Sequence, residues 1–169
     1  MKEYEVEKEW ISEAGLKCVV LALCAGHRCG YVGIDKDNQF FGKDYNDKID
    51  ISEEQKEKIL SSYVGERGLV SLIAFNGGED FRADIVFDVH GGVTYAGNGG
   101  GEYPVESDLW WIGYDCAHSG DSKDFSIMTK DFIEIYSDFN FGGTIKTLDY
   151  CIGECESLAG QLSSYSNRT

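Results

Sequence analysis

The fold is decided by a hairpin pattern, the stretch CVVLALCAGHRCGYVGI at residues 18–34. Residues 18–23 form an apolar, β-branched run of strand length, which predicts a buried strand. Residues 26–28, Gly-His-Arg, predict a turn, and residues 29–34 predict the returning strand of the hairpin. We therefore expect a core built around a mainly antiparallel sheet.

Outward from this hairpin, apolar runs separated by turn residues predict further strands and loops. The predicted strands are residues 69–75, 82–89, 93–95 and 109–114, with a turn at 76–78 and a loop at 98–101. Residues 1–16 are rich in charged side chains and predict a polar lead-in, for which Trp10 and Ile11 are the candidate anchors.

Three segments carry helix patterns. Ser52 and Gln55 have the spacing of a capping box, which predicts a helix running to about Tyr63. Residues 129–139 predict a second helix. Near the C-terminus, apolar residues recur at helical spacing: Leu148, Cys151, Ile152, Cys155, Leu158, Ala159 and Leu162. Such a stripe packs on a sheet, so we expect a single α+β domain over residues 1–169, with this C-terminal amphipathic helix packed on the sheet.

The charge of the chain excludes some classes of partner. Thirty acidic side chains against 15 Lys and Arg give a formal net charge of −15, which disfavours direct binding to nucleic acid or to an anionic membrane. The longest apolar run, residues 18–25, is far shorter than the roughly 20 residues that span a bilayer. The first residues lack the apolar core of a signal peptide. We therefore expect a cytoplasmic protein whose six cysteines remain thiols.

Two polar loops carry the residues best suited to chemistry. They are Asp-Val-His-Gly-Gly at residues 88–92 and Asp-Cys-Ala-His-Ser-Gly-Asp at residues 115–121. If the strands that precede them are neighbours, the loops share one rim of the sheet and their side chains converge. The converging side chains would be His90, Asp115, His118 and Asp121. Gly91 and Gly92 would let a ligand approach the backbone closely.

One interpretation of these four side chains is a divalent metal site. Imidazole and carboxylate ligands together suit zinc, manganese or iron, and water activated by the metal could attack a phosphodiester. The alternative is that the same residues brace the loops through hydrogen bonds. Cys116 beside them is either a ligand, a nucleophile or a small buried residue.

A second interpretation is a binding pocket without catalysis. Aromatic rings near both loops could stack on bases at about 1–3 kcal/mol each, while Asp and His side chains contact base edges or ribose. Trp110 and Trp111 are adjacent on a strand and must point to opposite faces, so one of them is expected to be available. The expected ligand-binding residues are His90, Gly91, Gly92, Thr94, Tyr95, Trp110, Trp111, Asp115, His118 and Asp121.

Three blocks of sequence stand out: CGYVG at residues 29–33, DVHGGVTY at 88–95 and WWIGYDCAHSGD at 110–121. In these blocks the chain resembles a widespread family of small, uncharacterised phage and prophage proteins, which usually close with a helix like residues 154–162. Relative to that family, residues 51–84 are expected to be an insertion that carries an extra helix and hairpin. The resemblance implies a role in phage biology, and by analogy small phage proteins of this kind often counter host defence.

Three functions stay open at this point. The leading hypothesis is a phage or prophage counter-defence protein that binds and sequesters a nucleotide-type immune signal, such as a cyclic oligonucleotide or an ADP-ribose derivative, as a candidate homo-oligomer. The second is a metal-dependent phosphodiesterase that uses the His/Asp cluster. The third is an acidic decoy that blocks a host protein which binds nucleic acid.

Overall fold

The computed structural model describes residues 3–62 and 81–167. In chain order its elements are β1 (Tyr4–Ile11), β2 (Lys17–Leu23), β3 (His27–Ile34), α1 (Glu53–Ser62), α2 (Ala83–Val86), β4 (Tyr95–Asn98), β5 (Trp110–Asp115), β6 (Asp121–Ser122), α3 (Lys130–Tyr136), β7 (Thr144–Ile145) and α4 (Leu148–Ser163). The predicted strand at 69–75 and turn at 76–78 lie outside the described residues.

The main sheet has five strands in the order β1-β2-β3-β5-β4, and every neighbouring pair is antiparallel. The predicted hairpin is confirmed, because Val20 pairs with Gly30 and Leu23 pairs with His27. Its turn lies slightly earlier than expected, and the amide of Gly26 closes it by donating to the carbonyl of Leu23 at 2.9 Å. The predicted α+β fold with a mainly antiparallel sheet is therefore confirmed.

Two local predictions were wrong. The polar lead-in is instead an edge strand, β1, none of whose residues is fully buried. Its charged side chains are compatible with an edge, where they discourage pairing with other chains. Residues 82–89 alternate like a strand but contain the one-turn helix α2, in which Ala83 and Val86 are the buried residues. Positions three apart share a face of a helix but point to opposite faces of a strand, so the pair Ala83 and Val86 fits the helix and not the alternating strand.

The C-terminal helix packs as its apolar stripe predicts. Thr147 caps α4, because its hydroxyl accepts a hydrogen bond from the amide of Tyr150 at 3.2 Å. The buried side of the helix consists of Cys151, Cys155, Leu158, Ala159 and Leu162. These side chains join the main core against one face of the sheet, together with Ile112 and Tyr114 of β5.

A smaller core covers the opposite face of the sheet. It is formed by Val19, Leu21, Cys29, Tyr31 and Trp111. The capping box of α1 is also confirmed, since Ser52 and Gln55 exchange side-chain-to-amide hydrogen bonds at 3.0 and 3.2 Å. No helix among the described residues is both long enough and apolar enough to cross a membrane.

Candidate functional site

The two polar loops meet beside the N-terminal end of α4. Strand β5 delivers Asp115 and the loop that ends at Asp121, while the loop between α2 and β4 delivers His90. Residues 82–89 do not form the strand expected to align the loops. The first loop is instead held to α4, because the amide of His90 donates to the carboxylate of Glu154 at 2.6 Å. Helix packing, rather than strand pairing, therefore sets its position.

Asp121 is the central acceptor of the site. Its Oδ2 atom lies 2.8 Å from Nε2 of His90 and accepts a hydrogen bond from the amide of His118 at 2.9 Å. Lys146 places its ammonium group 3.7 Å from Oδ1 of the same carboxylate. Burial raises the pKa of Asp121, but these hydrogen bonds and positive neighbours outweigh burial and hold the pKa below its usual range. Asp121 is therefore a carboxylate at neutral pH.

His90 is fixed at both ring nitrogens. Its Nδ1 atom lies 2.9 Å from the hydroxyl of Tyr150, and its Nε2 atom faces Asp121. Burial and the neighbouring carboxylate of Glu154 raise the pKa of Tyr150, so the hydroxyl keeps its proton. Because a carboxylate only accepts hydrogen bonds, Nε2 of His90 donates to Asp121, and in the neutral ring the hydroxyl of Tyr150 donates to Nδ1.

His118 offers the one group of this cluster that has no hydrogen-bond partner. Its Nδ1 atom is buried, yet it lies 3.7 Å from Oδ1 of Asp115 and 3.7 Å from Oδ2 of Asp121, beyond hydrogen-bond distance. A buried nitrogen without a partner costs about 1–3 kcal/mol. The ring rests on Gly91, where φ is +67° and an added Cβ atom would overlap the imidazole. Glycine at this position is therefore what lets His118 face the two carboxylates.

The chemistry and spacing of three side chains fit a transition-metal ion. His90, His118 and Asp121 each offer a ligand atom, and these atoms lie within 4.8 Å of one another. Two imidazoles and one carboxylate are a common ligand set for zinc, manganese and iron. Asp115, the fourth predicted ligand, is not one of these three residues. Its carboxylate oxygens accept hydrogen bonds from the hydroxyl of Thr94 at 2.9 Å and from the amide of Ala117 at 3.1 Å.

The structure places the predicted aromatic ligand-binding residues away from this cluster. Trp111 is fully buried in the smaller core, and Tyr95 makes ring contacts there with Tyr31 and Tyr103. Trp110 packs on the main core and donates its indole N–H to the carbonyl of Lys43 at 3.0 Å. It lies five residues from Asp115 along β5, about 17 Å at strand spacing. The remaining predicted glycine, Gly92, has a positive φ, and its amide closes a turn on Val89 at 2.8 Å.

Three further residues touch the cluster without having been predicted from the sequence: Lys146, Tyr150 and Glu154. The two on α4 are four residues apart, so they share the helix face that meets His90. That spacing was visible in the sequence, but nothing local indicated which loop the face would meet. Lys146 precedes α4 and lies over the ring of Tyr150, 5.2 Å from its centroid.

A separate cleft of about 710 Å³ lies between α1 and α4. The described residues that line it include Gln55, Lys58, Phe87 and Gln161. None of the three metal-compatible side chains lines this cleft, so the His/Asp cluster is a distinct site.

Comparison of the chain with protein-family models, with curated proteins and with solved structures gives no match.

Proposed function

We propose that the protein holds a divalent metal ion on His90, His118 and Asp121 and hydrolyses a phosphate ester of a nucleotide-type ligand. The observation that carries this proposal is the buried Nδ1 of His118, which faces two carboxylates without a hydrogen-bond partner. A divalent cation among these groups would supply the missing partner. It would also supply a water molecule of lowered pKa and a Lewis acid for the phosphoryl group.

The surrounding residues support this function. The hydroxyl of Tyr150 on Nδ1 of His90 leaves Nε2 to act as the ligand atom, an outer contact of the kind that orients metal-bound histidines. Binding of the ion would replace the hydrogen bond between Nε2 and Asp121. Lys146, close to Asp121, is placed to attract a phosphate group to a chain whose net charge is −15.

Binding without cleavage is the second candidate function, and a separate observation favours it. Oδ2 of Asp121 already accepts hydrogen bonds from His90 and from the amide of His118, so this carboxylate is satisfied without an ion. The imidazole of His118, whose side chain is 35% exposed, would then contact the ligand through its exposed edge. This candidate corresponds to sequestration of a nucleotide-type immune signal by a cytoplasmic phage or prophage protein, a role whose biological context rests on the resemblance in sequence.

One experiment separates the two functions. Purified protein is incubated with cyclic dinucleotides, cyclic trinucleotides and ADP-ribose derivatives, with and without Mn²⁺ or Zn²⁺, and the free ligand is measured by chromatography before and after heat denaturation. A ligand that is cleaved only in the presence of metal supports hydrolysis. A ligand that disappears and returns intact supports sequestration. If no ligand changes and no metal is retained, both proposals fail.

A further inference from the structure

A second surface lies on the excursion between β6 and β7, residues 123–143, which we call the aromatic arm. The short strands at its base pair in parallel, so that Asp121 pairs with Thr144 and Ser122 pairs with Ile145. The base is held further by a hydrogen bond from the hydroxyl of Ser122 to the carbonyl of Phe141 at 3.1 Å. The arm therefore begins and ends in one place, beside the central carboxylate of the candidate site.

The arm contributes little to either core. Its helix, α3, has no buried residue. Its aromatic rings contact one another instead, with centroid distances of 6.1 Å for Phe132–Tyr136, 5.4 Å for Tyr136–Phe141 and 6.1 Å for Phe139–Phe141. Contacts with the rest of the protein lie near its start, where the amide of Asp124 donates to the carbonyl of Gly26 at 2.8 Å.

Large apolar side chains on this surface face solvent. Ile135 is 60% exposed, Phe139 is 61% exposed, and Ile145 at the base of the arm is 47% exposed. Isolated exposed apolar residues are ordinary, but a contiguous group of rings and aliphatic side chains is typical of a protein–protein contact. Aromatic side chains are also enriched in the centre of such interfaces.

The charges around the arm identify the kind of partner. Asp131, Glu134 and Asp138 are exposed on the arm, whereas of its two lysines Lys130 is exposed and Lys123 is partly exposed. A second copy of the chain would bring the same acidic surface and the same net charge of −15 to the interface, and like charges across an interface oppose association. Nucleic acid is disfavoured for the same reason.

We propose that the aromatic arm is a docking surface for a positively charged protein, which buries Ile135 and Phe139 and pairs its Lys or Arg side chains with the flanking acids. This inference does not depend on the metal site. Because Thr144 pairs with Asp121, a partner bound to the arm would lie beside the candidate site.

The test uses two fluorescent amphipathic helical peptides of about 18 residues, which share a Leu face and carry either Lys or Glu on the other face. Binding to the full chain is measured by anisotropy at about 50 mM and about 300 mM salt. The Lys peptide should bind, more weakly at high salt, and the Glu peptide should not. The double variant Ile135→Ser/Phe139→Ser should weaken binding about tenfold or more, whereas Ile11→Ser, at an exposed position on β1, should leave it unchanged.

A matched pair of charge variants tests whether the binding is specific to the arm. Glu134→Lys/Asp138→Lys and Glu54→Lys/Glu57→Lys change the net charge equally, but the second pair lies on α1. Only the first pair should weaken binding of the Lys peptide by several-fold. Equal weakening by both pairs would overturn the proposal. Unchanged binding of the Lys peptide to the Ile135→Ser/Phe139→Ser variant would overturn it as well. A concentration-dependent dimer abolished by that double variant in light scattering would also overturn it, since the occupant would be a second copy.

Discussion

Nε2 of His90 lies 2.8 Å from Oδ2 of Asp121, although 31 positions separate the two residues in the chain. The contact joins the two polar loops. The hydroxyl of Tyr150 on α4 contacts Nδ1, the other ring nitrogen of His90, and so fixes the ring. It is the point at which the loops become one site.

Metal binding should depend on this joined site. Changing His90 or His118 to Ala, or Asp121 to Asn, should lower the affinity for Zn²⁺ or Mn²⁺ at least about tenfold, because each change removes one of three ligands. Isothermal titration and elemental analysis give the affinity and the stoichiometry. His27→Ala is the matched control, since the imidazole of His27 is outside the metal-compatible group. Equal affinity in all variants would mean that the ion binds elsewhere.

The hydroxyl of Tyr150 should orient His90 for metal binding and should contribute little to the stability of the fold. Tyr150→Phe removes the contact to Nδ1 of His90, and loss of such an outer partner typically lowers metal affinity by about 10- to 100-fold. Thermal unfolding of the metal-free variant should stay close to that of the parent chain. Tyr136→Phe, on the aromatic arm, serves as the control. An unchanged metal affinity in Tyr150→Phe would remove Tyr150 from the site.

Gly91→Ala should destabilise the protein. At φ +67° a Cβ atom costs about 1–2 kcal/mol in backbone strain, and here it would also overlap the ring of His118. Urea unfolding should show the loss. Gly101→Ala is the control, because Gly101 has no positive φ and nothing lies near its added Cβ. If both variants unfold at the same urea concentration, the fit between Gly91 and His118 is not tight.

Arg28→Met should cost more stability than removal of a surface cation. The guanidinium is buried between Glu7, at 2.6 Å, and Asp124, at 2.8 Å, and removing one partner of a buried ion pair costs about 3–5 kcal/mol. Lys17→Met, which breaks a partly exposed pair with Glu9, should cost no more than about 1 kcal/mol. Chemical denaturation of the two variants measures both values, and equal losses would contradict the prediction.

The same network predicts how stability responds to acid. Burial raises the pKa of Asp124, but hydrogen bonds from Ser126 and Arg28 outweigh it and hold the pKa below its usual range. Such a carboxylate stabilises the fold above its unfolded-state pKa of about 4, and this contribution is lost as the pH falls through the lower folded-state value. The unfolding free energy of Arg28→Met should therefore fall less steeply with decreasing pH below about 4 than that of the parent chain. If the unfolding free energies of the two proteins fall in parallel with decreasing pH, the acid sensitivity comes from other groups.

The thiols should differ in reactivity. Five cysteines are buried and Cys24 is partly exposed, and burial raises the pKa of Cys18 and of Cys29 to about 12. Because a reagent must reach the thiolate to react with it, Cys24 should react first with a disulfide reagent at mild alkaline pH. Cys24→Ser should remove this fast phase. The unfolded chain should react at all six positions, and a second fast thiol in the folded protein would contradict the burial.

The local sequence pattern predicted the secondary structure correctly where one periodicity dominated. The apolar run that forms β2, the capping box of α1 and the apolar stripe of α4 each fit one structure, and each is confirmed. The pattern failed over residues 82–89, because alternation groups Ala83 with Ile85 on one strand face, whereas the one-turn helix buries Ala83 with Val86. It failed at β1 because an edge strand needs few apolar residues when its backbone pairs with β2.

The amino-acid sequence by itself determined the α+β class, the central hairpin and the chemical character of the two polar loops, because these depend on neighbours within a few residues. Tertiary structure alone decided that His90 meets Asp121, that Tyr150 and Glu154 support it, and that Trp111 belongs to a core. The order of the strands and the seating of α4 set those distances. Both arise from packing between distant segments, which no local periodicity encodes.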